Sequence, residues 1–222
     1  MTDIVPDFLD DQARAVATEQ PIPAVAGAVA VHLDGDPSGH DMFHVWRVFE
    51  MAMTIATQSD EAVDRTVLGI AALAHDIHRT VGEGIPPRES LPTVRETLAE
   101  AGVDPTTVEA VCACVAVHDD YDYRGDDYEL PSVEAAILQD ADNLDAMGAV
   151  GIARDFAYTG DAGNAIWDPE NDTPSGKRHI HDKLLRLREE MNTEAGRELA
   201  AERHDFLEAF AERFEAEWHG ES

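Results

Sequence analysis

The run Ala71-Ala72-Leu73-Ala74-His75-Asp76 decides how this chain is read. Four small or apolar residues end in an adjacent imidazole and carboxylate. At the end of a buried segment such a pair is costly unless something satisfies both groups. A divalent metal does so, and a metal that activates water needs several fixed nitrogen and oxygen ligands together with open positions. If His75-Asp76 is half of such a site, the other half lies elsewhere in the chain.

Outward from that pair, Val63, Val67, Ile70 or Ala71, and Ala74 recur at helical spacing. The spacing predicts a core helix over residues 60–79, with Ser59 or Asp60 as its N-cap, that delivers His75 and Asp76 near its C-terminal end. Upstream, a largely apolar helix is expected over residues 41–58, with His44 and Arg47 three apart on one face. Residues 8–20 read as a short helix, and residues 21–36 are ambiguous between loop, short helix and strand. Downstream, Gly82, Gly84, Pro86 and Pro87 force a loop. An exposed helix over residues 88–101 is closed by Gly102, and Pro105 opens another that ends near His118. After an acidic loop over 121–131, one helix is expected over 132–158, carrying Asp140, Asp142 and Asp145. Residues 159–176 form the longest irregular stretch, with Trp167 as its anchor. Residues 183–218 read as helical, with Phe206, Phe210, Phe214 and Trp218 as a packing stripe. No repeat or boundary divides the chain, so a single all-α domain is expected over residues 1–222.

Composition narrows the classes of function. Forty-six acidic residues against 16 Lys and Arg give a formal charge of −30, yet 44% of residues are hydrophobic, more than a disordered acidic chain carries. The charge therefore coats a folded surface that repels nucleic acid and anionic membranes. Concentrated salt would screen that self-repulsion, which points to a halophilic source. Cys112 and Cys114 are the only cysteines and sit about 200° apart on a helix, unsuited to a disulfide or a shared metal. No basic leader or apolar run of about 18 residues is present, so a cytoplasmic protein is expected. A homodimer is carried as an expectation.

The chain thus offers His44 on one helix, His75 and Asp76 on a second, and a carboxylate from the group Asp140 to Asp145 on a later one. Two imidazoles and two carboxylates suit Mn²⁺, Fe²⁺, Co²⁺, Ni²⁺ or Zn²⁺ more than Ca²⁺. Cations are scarce, so Arg47, Arg79, Arg88, Arg154 and Lys183, all near the motifs, are the expected phosphate contacts. Asp145 is a candidate general base or support for Asp142, and His118 a candidate substrate or second-metal residue or a helix cap. His40 and His78 are expected to flank the ligands, and His179 and His181 to be ordinary loop histidines unless their loop closes over the site.

The order of a lone His, then His-Asp, then a distant Asp resembles the HD-domain superfamily of metal-dependent phosphohydrolases. The similarity extends to Gly39-His40-Asp41-Met42-Phe43-His44-Val45-Trp46-Arg47-Val48, to residues 139–154, and to residues 179–196 with Lys183-Leu184-Leu185, Met191, Thr193 and Gly196. Together these motifs span about 39–218 and are most similar to the YedJ/YpgQ-like subfamily. That resemblance implies an all-α HD bundle and the metal ligands His44, His75, Asp76 and Asp142. It also implies His75 and Asp76 at the catalytic centre; Asp145, one turn after Asp142, and His118, at its helix end, stand as further catalytic candidates from their positions. Mg²⁺ joins the candidate ions, and nucleoside triphosphate pyrophosphohydrolysis is the expected reaction. Nucleoside monophosphatase or cyclic nucleotide phosphodiesterase activity follows as the alternative, then an HD-type di-iron oxygenase using His118, then a metal-binding protein without turnover. The chain departs from the subfamily at Ala136, Asn143 and Asp119, where relatives carry Lys, Arg and Ser.

Overall fold

Helices make up the regular structure of the described residues, apart from one isolated bridge between Ala165 and Ser175. The computed structural model describes residues 4–82, 84–170 and 173–221. Met1–Asp3 of the expected leaderless start and residues 171 and 172 of the expected long loop lie outside them.

Three helices form the centre. α3 (Met42–Gln58) packs along both α4 (Arg65–Ala74) and α8 (Val133–Asp145), and α4 also meets α8. α4 is buried on all sides, since every residue from Val67 to Ala74 is buried, the pattern of a helix in the middle of a core. Around this centre lie α1 (Asp11–Ala17), α2 (Ile22–Leu33), α5 (His78–Val81), α6 (Pro87–Glu100) and α7 (Pro105–Val117). α9 (Gly148–Asp161), α10 (Gly176–Asp182) and α11 (Glu194–Trp218) pack together on the other side. The ambiguous residues 21–36 are therefore mostly helix, with Val25, Ala26 and Val29 buried. Cys112 and Cys114 are free and buried in α7.

Several boundaries differ from expectation for identifiable reasons. α4 begins a turn late, because Asp64 rather than Ser59 or Asp60 accepts the N–H groups of Thr66 and Val67, a cap that contributes about 1 kcal/mol. It also ends at Ala74, and residues His75–Ile77 tighten into a 3₁₀ turn. The helix expected over 132–158 is two helices. Ala146 and Met147 close α8 with backbone bonds to Asp142 and Leu144, and Arg203 donates to the Leu144 carbonyl. Gly148 then takes φ +69°, a conformation that favours glycine. A side chain at Gly151 would run into the Ala146 carbonyl, 2.1 Å from where a Cβ would stand. α10 was hidden in a polar heptapeptide, and α11 starts at Glu194, capped by Thr193. The aromatic stripe packs only in part. Phe210 and Phe214 pack against Phe156, and Trp218 stacks on Phe214 while half exposed, whereas Phe206 stays half exposed without a ring contact among the described residues. Trp167 does anchor its loop, against Phe214 and Trp218.

Candidate metal centre and its cavity

The central helices bring four donor atoms together. Asp41 caps α3 by accepting the His44 N–H at 3.0 Å and so fixes the turn carrying that imidazole. The 3₁₀ turn after α4 supplies His75 and Asp76, and the last turn of α8 supplies Asp142. His44 Nε2 lies 3.2 Å from His75 Nε2, 3.2 Å from Asp76 Oδ2 and 3.5 Å from Asp142 Oδ1. His75 Nε2 lies 3.7 Å from Asp76 Oδ2 and 3.6 Å from Asp142 Oδ1. Donors that share one ion at about 2.0–2.2 Å stand roughly 3 to 3.6 Å from one another.

Protonation chemistry agrees with the spacing. The Nδ1 of His44 donates to Asp145 Oδ2 at 2.8 Å, and that of His75 to the Ala72 carbonyl at 2.8 Å. Each ring therefore turns an Nε2 lone pair inward, the arrangement that orients metal-ligating histidines. Asp76 Oδ2 is buried without an aligned hydrogen bond among the described residues. Lone pairs facing a bare carboxylate oxygen repel unless a cation lies between them, so these residues fit a divalent ion. Burial works against charge on His75, but Asp76 and then Asp142 outweigh it and raise its pKa to about 9. Burial likewise opposes ionisation of Asp76, where Arg79 and His75 hold the carboxyl well below its ordinary value. Asp142 is held well below by His75, again against burial. The cluster attracts positive charge.

The three aspartates of α8 divide their tasks. Asp142 joins the cluster. Asp145 stands behind His44 and also binds Arg47 (2.8 and 3.0 Å) and Arg154 (2.9 Å), so its contacts are those of an orienting carboxylate. Asp140 accepts from the backbone N–H groups of Asn192 (2.7 Å) and Thr193 (2.8 Å), tying down the start of α11.

His118 is fully buried beside the cluster, its ring 5.1 Å from that of His75. Burial lowers its pKa to about 4. Its donor atoms lie within 4.8 Å of those of His75 and Asp142, and separately of those of Asp76 and His78. Asp76 Oδ1, however, is held by Arg79 Nε at 2.8 Å, so a guanidinium already neutralises the oxygen turned away from the four-donor cluster. His78 is buried as well and points its Nδ1 at the His75 carbonyl.

A cavity of about 190 Å³ opens over Asp142. Of the expected phosphate contacts, Arg79, Arg154 and Lys183 line it. Arg47 and Arg88 do not. Arg47 binds Asp145 from the side of Met51 and Gly148, and Arg88 forms a two-pronged pair with Asp120 (2.9 and 2.5 Å) on the exposed surface. Lys183 reaches Asp119 at 3.4 Å and lies over the Tyr121 ring. Asn143 lines the cavity and accepts from the Tyr121 hydroxyl at 2.8 Å. His181 stays outside and meets Lys177.

Sequence reasoning missed part of this wall. His40 lines the cavity; burial lowers its pKa to about 3, and its Nδ1 meets Ser38 Oγ at 2.8 Å. His179 is helical rather than in a loop and reaches the cavity, with Asp155 and Tyr158 beside it. Asp155 was legible in principle, because Gly151, Ile152, Asp155 and Thr159 form the buried face of α9 at helical spacing.

Comparison with known proteins gives the same picture. The HD domain model matches residues 42–147. The uncharacterized protein YpgQ of Bacillus subtilis (strain 168) is 38% identical over 186 residues, 82% of this chain and 86% of YpgQ. The crystal structure of B. subtilis YpgQ in complex with ADP superposes with a TM-score of 0.69 at 30% identity, covering 91% of this chain and 100% of that one. A structure from Lactobacillus plantarum gives 0.78 at 29% identity, covering 91% and 98%. An HD-superfamily hydrolase from Bacillus thuringiensis gives 0.66 at 33%, covering 90% and 97%. With its ordered histidines and aspartates converging in an all-helical core, the chain belongs to the HD-domain family of metal-dependent phosphohydrolases, among the YpgQ-like members.

Proposed function

We propose that this protein hydrolyses nucleotides, cleaving a nucleoside triphosphate to the monophosphate and pyrophosphate. One observation carries the reading: in a chain of net charge −30, three of its few cations, Arg79, Arg154 and Lys183, line the cavity beside Asp142. Their placement offsets the repulsion between a polyanionic substrate and an acidic surface. The complex of YpgQ with ADP supports a nucleotide ligand.

His44, His75, Asp76 and Asp142 would hold the divalent ion, whose Lewis acidity activates water and polarises a phosphoryl oxygen. Manganese, magnesium, cobalt, nickel and ferrous iron all suit this donor set. The remaining work belongs to the chain. Arg79 commits its Nε to Asp76 and Arg154 its Nε to the Gly39 carbonyl, which anchors both guanidinium groups at the cavity wall. Lys183, less tightly paired, supplies a mobile point charge for a terminal phosphate. Held in this way, the phosphate chain is oriented for in-line attack.

The proposed setting is the cytoplasm; no helix among the described residues is long and apolar enough to cross a membrane. The acidic surface supports work in concentrated salt. The test is a panel of nucleoside mono-, di- and triphosphates and cyclic nucleotides, assayed with each ion at low and molar salt, with phosphate and pyrophosphate separated. Pyrophosphate release from triphosphates is expected, with fold and activity lost at low salt. Phosphate release from monophosphates, or opening of cyclic nucleotides, would replace this reading with a monophosphatase or phosphodiesterase. An absence of turnover with any ion would leave a binding protein.

A further inference from the structure

Asp155 is an unusual carboxylate. It is 5% exposed. Its Oδ1 accepts from His179 Nδ1 at 2.6 Å, and its Oδ2 has no partner among the described residues. A buried carboxylate satisfied on one side only costs stability. The chain also keeps glycine at 176, where a Cβ would stand 3.0 Å from that bare oxygen. His179, in contrast, has a side chain 43% exposed and lines the cavity that holds Asp142 and Lys183. With Nδ1 committed to Asp155, Nε2 is the nitrogen left to act. This is the chemistry by which a buried carboxylate fixes the tautomer and aim of an imidazole that transfers protons.

We propose that His179 is the general acid of the hydrolysis, delivering a proton from Nε2 to the leaving oxygen, and that Asp155 is the positioning residue behind it. The inference rests on the phosphohydrolase reading above. His44, His75 and Asp76 of the cluster are buried, and His179 stands at an exposed part of the wall of the cavity that Asp142 also lines; in the proposed step the attacking water and the leaving oxygen take opposite sides of phosphorus. The oxygen of the attacking water forms its bond to phosphorus while the bond from phosphorus to the leaving oxygen breaks. That oxygen keeps the electron pair and takes the His179 proton. The proton shed by the water passes to solvent, and His179 is reprotonated from solvent through its exposed edge, so the sum is hydrolysis. His40, the other histidine of the cavity, is more enclosed and engages Ser38 through Nδ1, which leaves His179 as the imidazole backed by a carboxylate. The charged and titratable groups around it are Arg154, Asp155 and Tyr158 from α9, and Arg178, Asp182 and Lys183 from its own segment.

The test is leaving-group dependence in the metal-loaded enzyme. Triphosphates whose β,γ bridge is CF₂, CHF or CH₂ release leaving groups of rising basicity, and wild type, His179→Asn and Asp155→Asn are compared on all three. General acid catalysis contributes about 10²–10⁴-fold. His179→Asn is therefore expected to lose about 10²-fold or more on the CH₂ compound and much less on the CF₂ compound, while KM changes little. Asn at 179 retains an amide for Asp155, and circular dichroism reports whether the fold survives. Asp155→Asn is expected to show the same trend more weakly and to move the basic limb of the kcat profile to lower pH. Equal losses of His179→Asn across the series overturn the general acid while leaving the hydrolase reading intact. A wild type that releases no pyrophosphate from natural triphosphates overturns both. An unmoved basic limb in Asp155→Asn overturns the positioning role.

Discussion

His44, His75 and Asp76 are at most 2% exposed and come from helices of the central core. Across the cavity, His179 and Tyr158 are close to half exposed and come from α9 and α10 on the outer side. The inner group consists of donors that converge with their hydrogen bonds committed elsewhere, so that little but a cation satisfies them. The outer group consists of cations and an imidazole with nitrogen atoms to spare. The difference teaches that the two walls answer to different forces. Desolvation dictates the first, since a buried carboxylate tolerates few neighbours. The second answers to whatever enters from solvent, to which His179 and Tyr158 stay open.

The harshest way to break the comparison is to remove an inner donor. His75→Ala is expected to lower turnover at least about 10³-fold and to abolish stoichiometric metal binding, because it leaves three donors facing an incomplete shell. Metal content after gel filtration, measured beside pyrophosphate release, decides. Turnover within tenfold of wild type would show that the cluster is not the reactive centre.

A milder break removes the carboxylate behind a donor. Asp145→Asn should weaken metal affinity about 10–100-fold, the usual effect of losing the group that orients a ligating histidine. Competition with a chelating dye reads this out. An unchanged affinity would mean that α3 alone aims His44. On the outer wall, Lys183→Ala should raise KM about tenfold, an effect that shrinks as salt rises. Arg88→Ala, outside the cavity and paired with Asp120, should change KM less than about twofold. Equal effects of the two would mean that general surface charge, not the cavity wall, handles the substrate.

The inner wall was the legible one. An apolar run ending in His-Asp announces a conflict that a metal resolves, and His44 lies on an adjacent apolar helix. Even there, helical spacing alone leaves three aspartates of α8 in competition; the family resemblance singles out Asp142, and the tertiary structure places Asp142 in the cluster, Asp145 behind His44 and Asp140 under Thr193. The outer wall was obscure because its shape depends on Gly148, which breaks the expected long helix, and on α10, whose residues Gly-Lys-Arg-His-Ile-His-Asp carry no apolar periodicity. Arg47 and Arg88 were proposed as phosphate contacts from their nearness in sequence to the motifs. In the fold Arg47 faces Met51 and Gly148 on another side of Asp145, and Arg88 pairs with Asp120 on the surface.

The smallest expected effect sets the two walls apart by sign. Around Asp145, burial opposes ionisation, but His44, Arg47 and Arg154 outweigh it and hold the carboxyl below its ordinary value of 3.8. Asp155 is raised above 3.8, since burial outweighs its one partner, His179. A lowered folded pKa stabilises the protein above the unfolded pKa, and that stability is lost as pH falls through the folded value. A raised carboxyl pKa acts oppositely: ionisation costs stability at neutral pH, and the cost disappears as pH falls through the raised folded value toward 3.8. Asp145→Asn should therefore lower Tm at pH 7 and lower it progressively less as the solution is acidified. Asp155→Asn, whose amide oxygen still accepts from His179, should raise Tm slightly at pH 7 and converge with wild type near pH 3. Thermal melts of the metal-free proteins from pH 7 to pH 3 read both trends at once. A Tm gain in Asp155→Asn, set beside its loss of turnover, would mark the residue as one retained against stability for its work on His179. A Tm loss at pH 7 would instead place Asp155 with Asp145 among the stabilising carboxylates and erase the contrast between the walls.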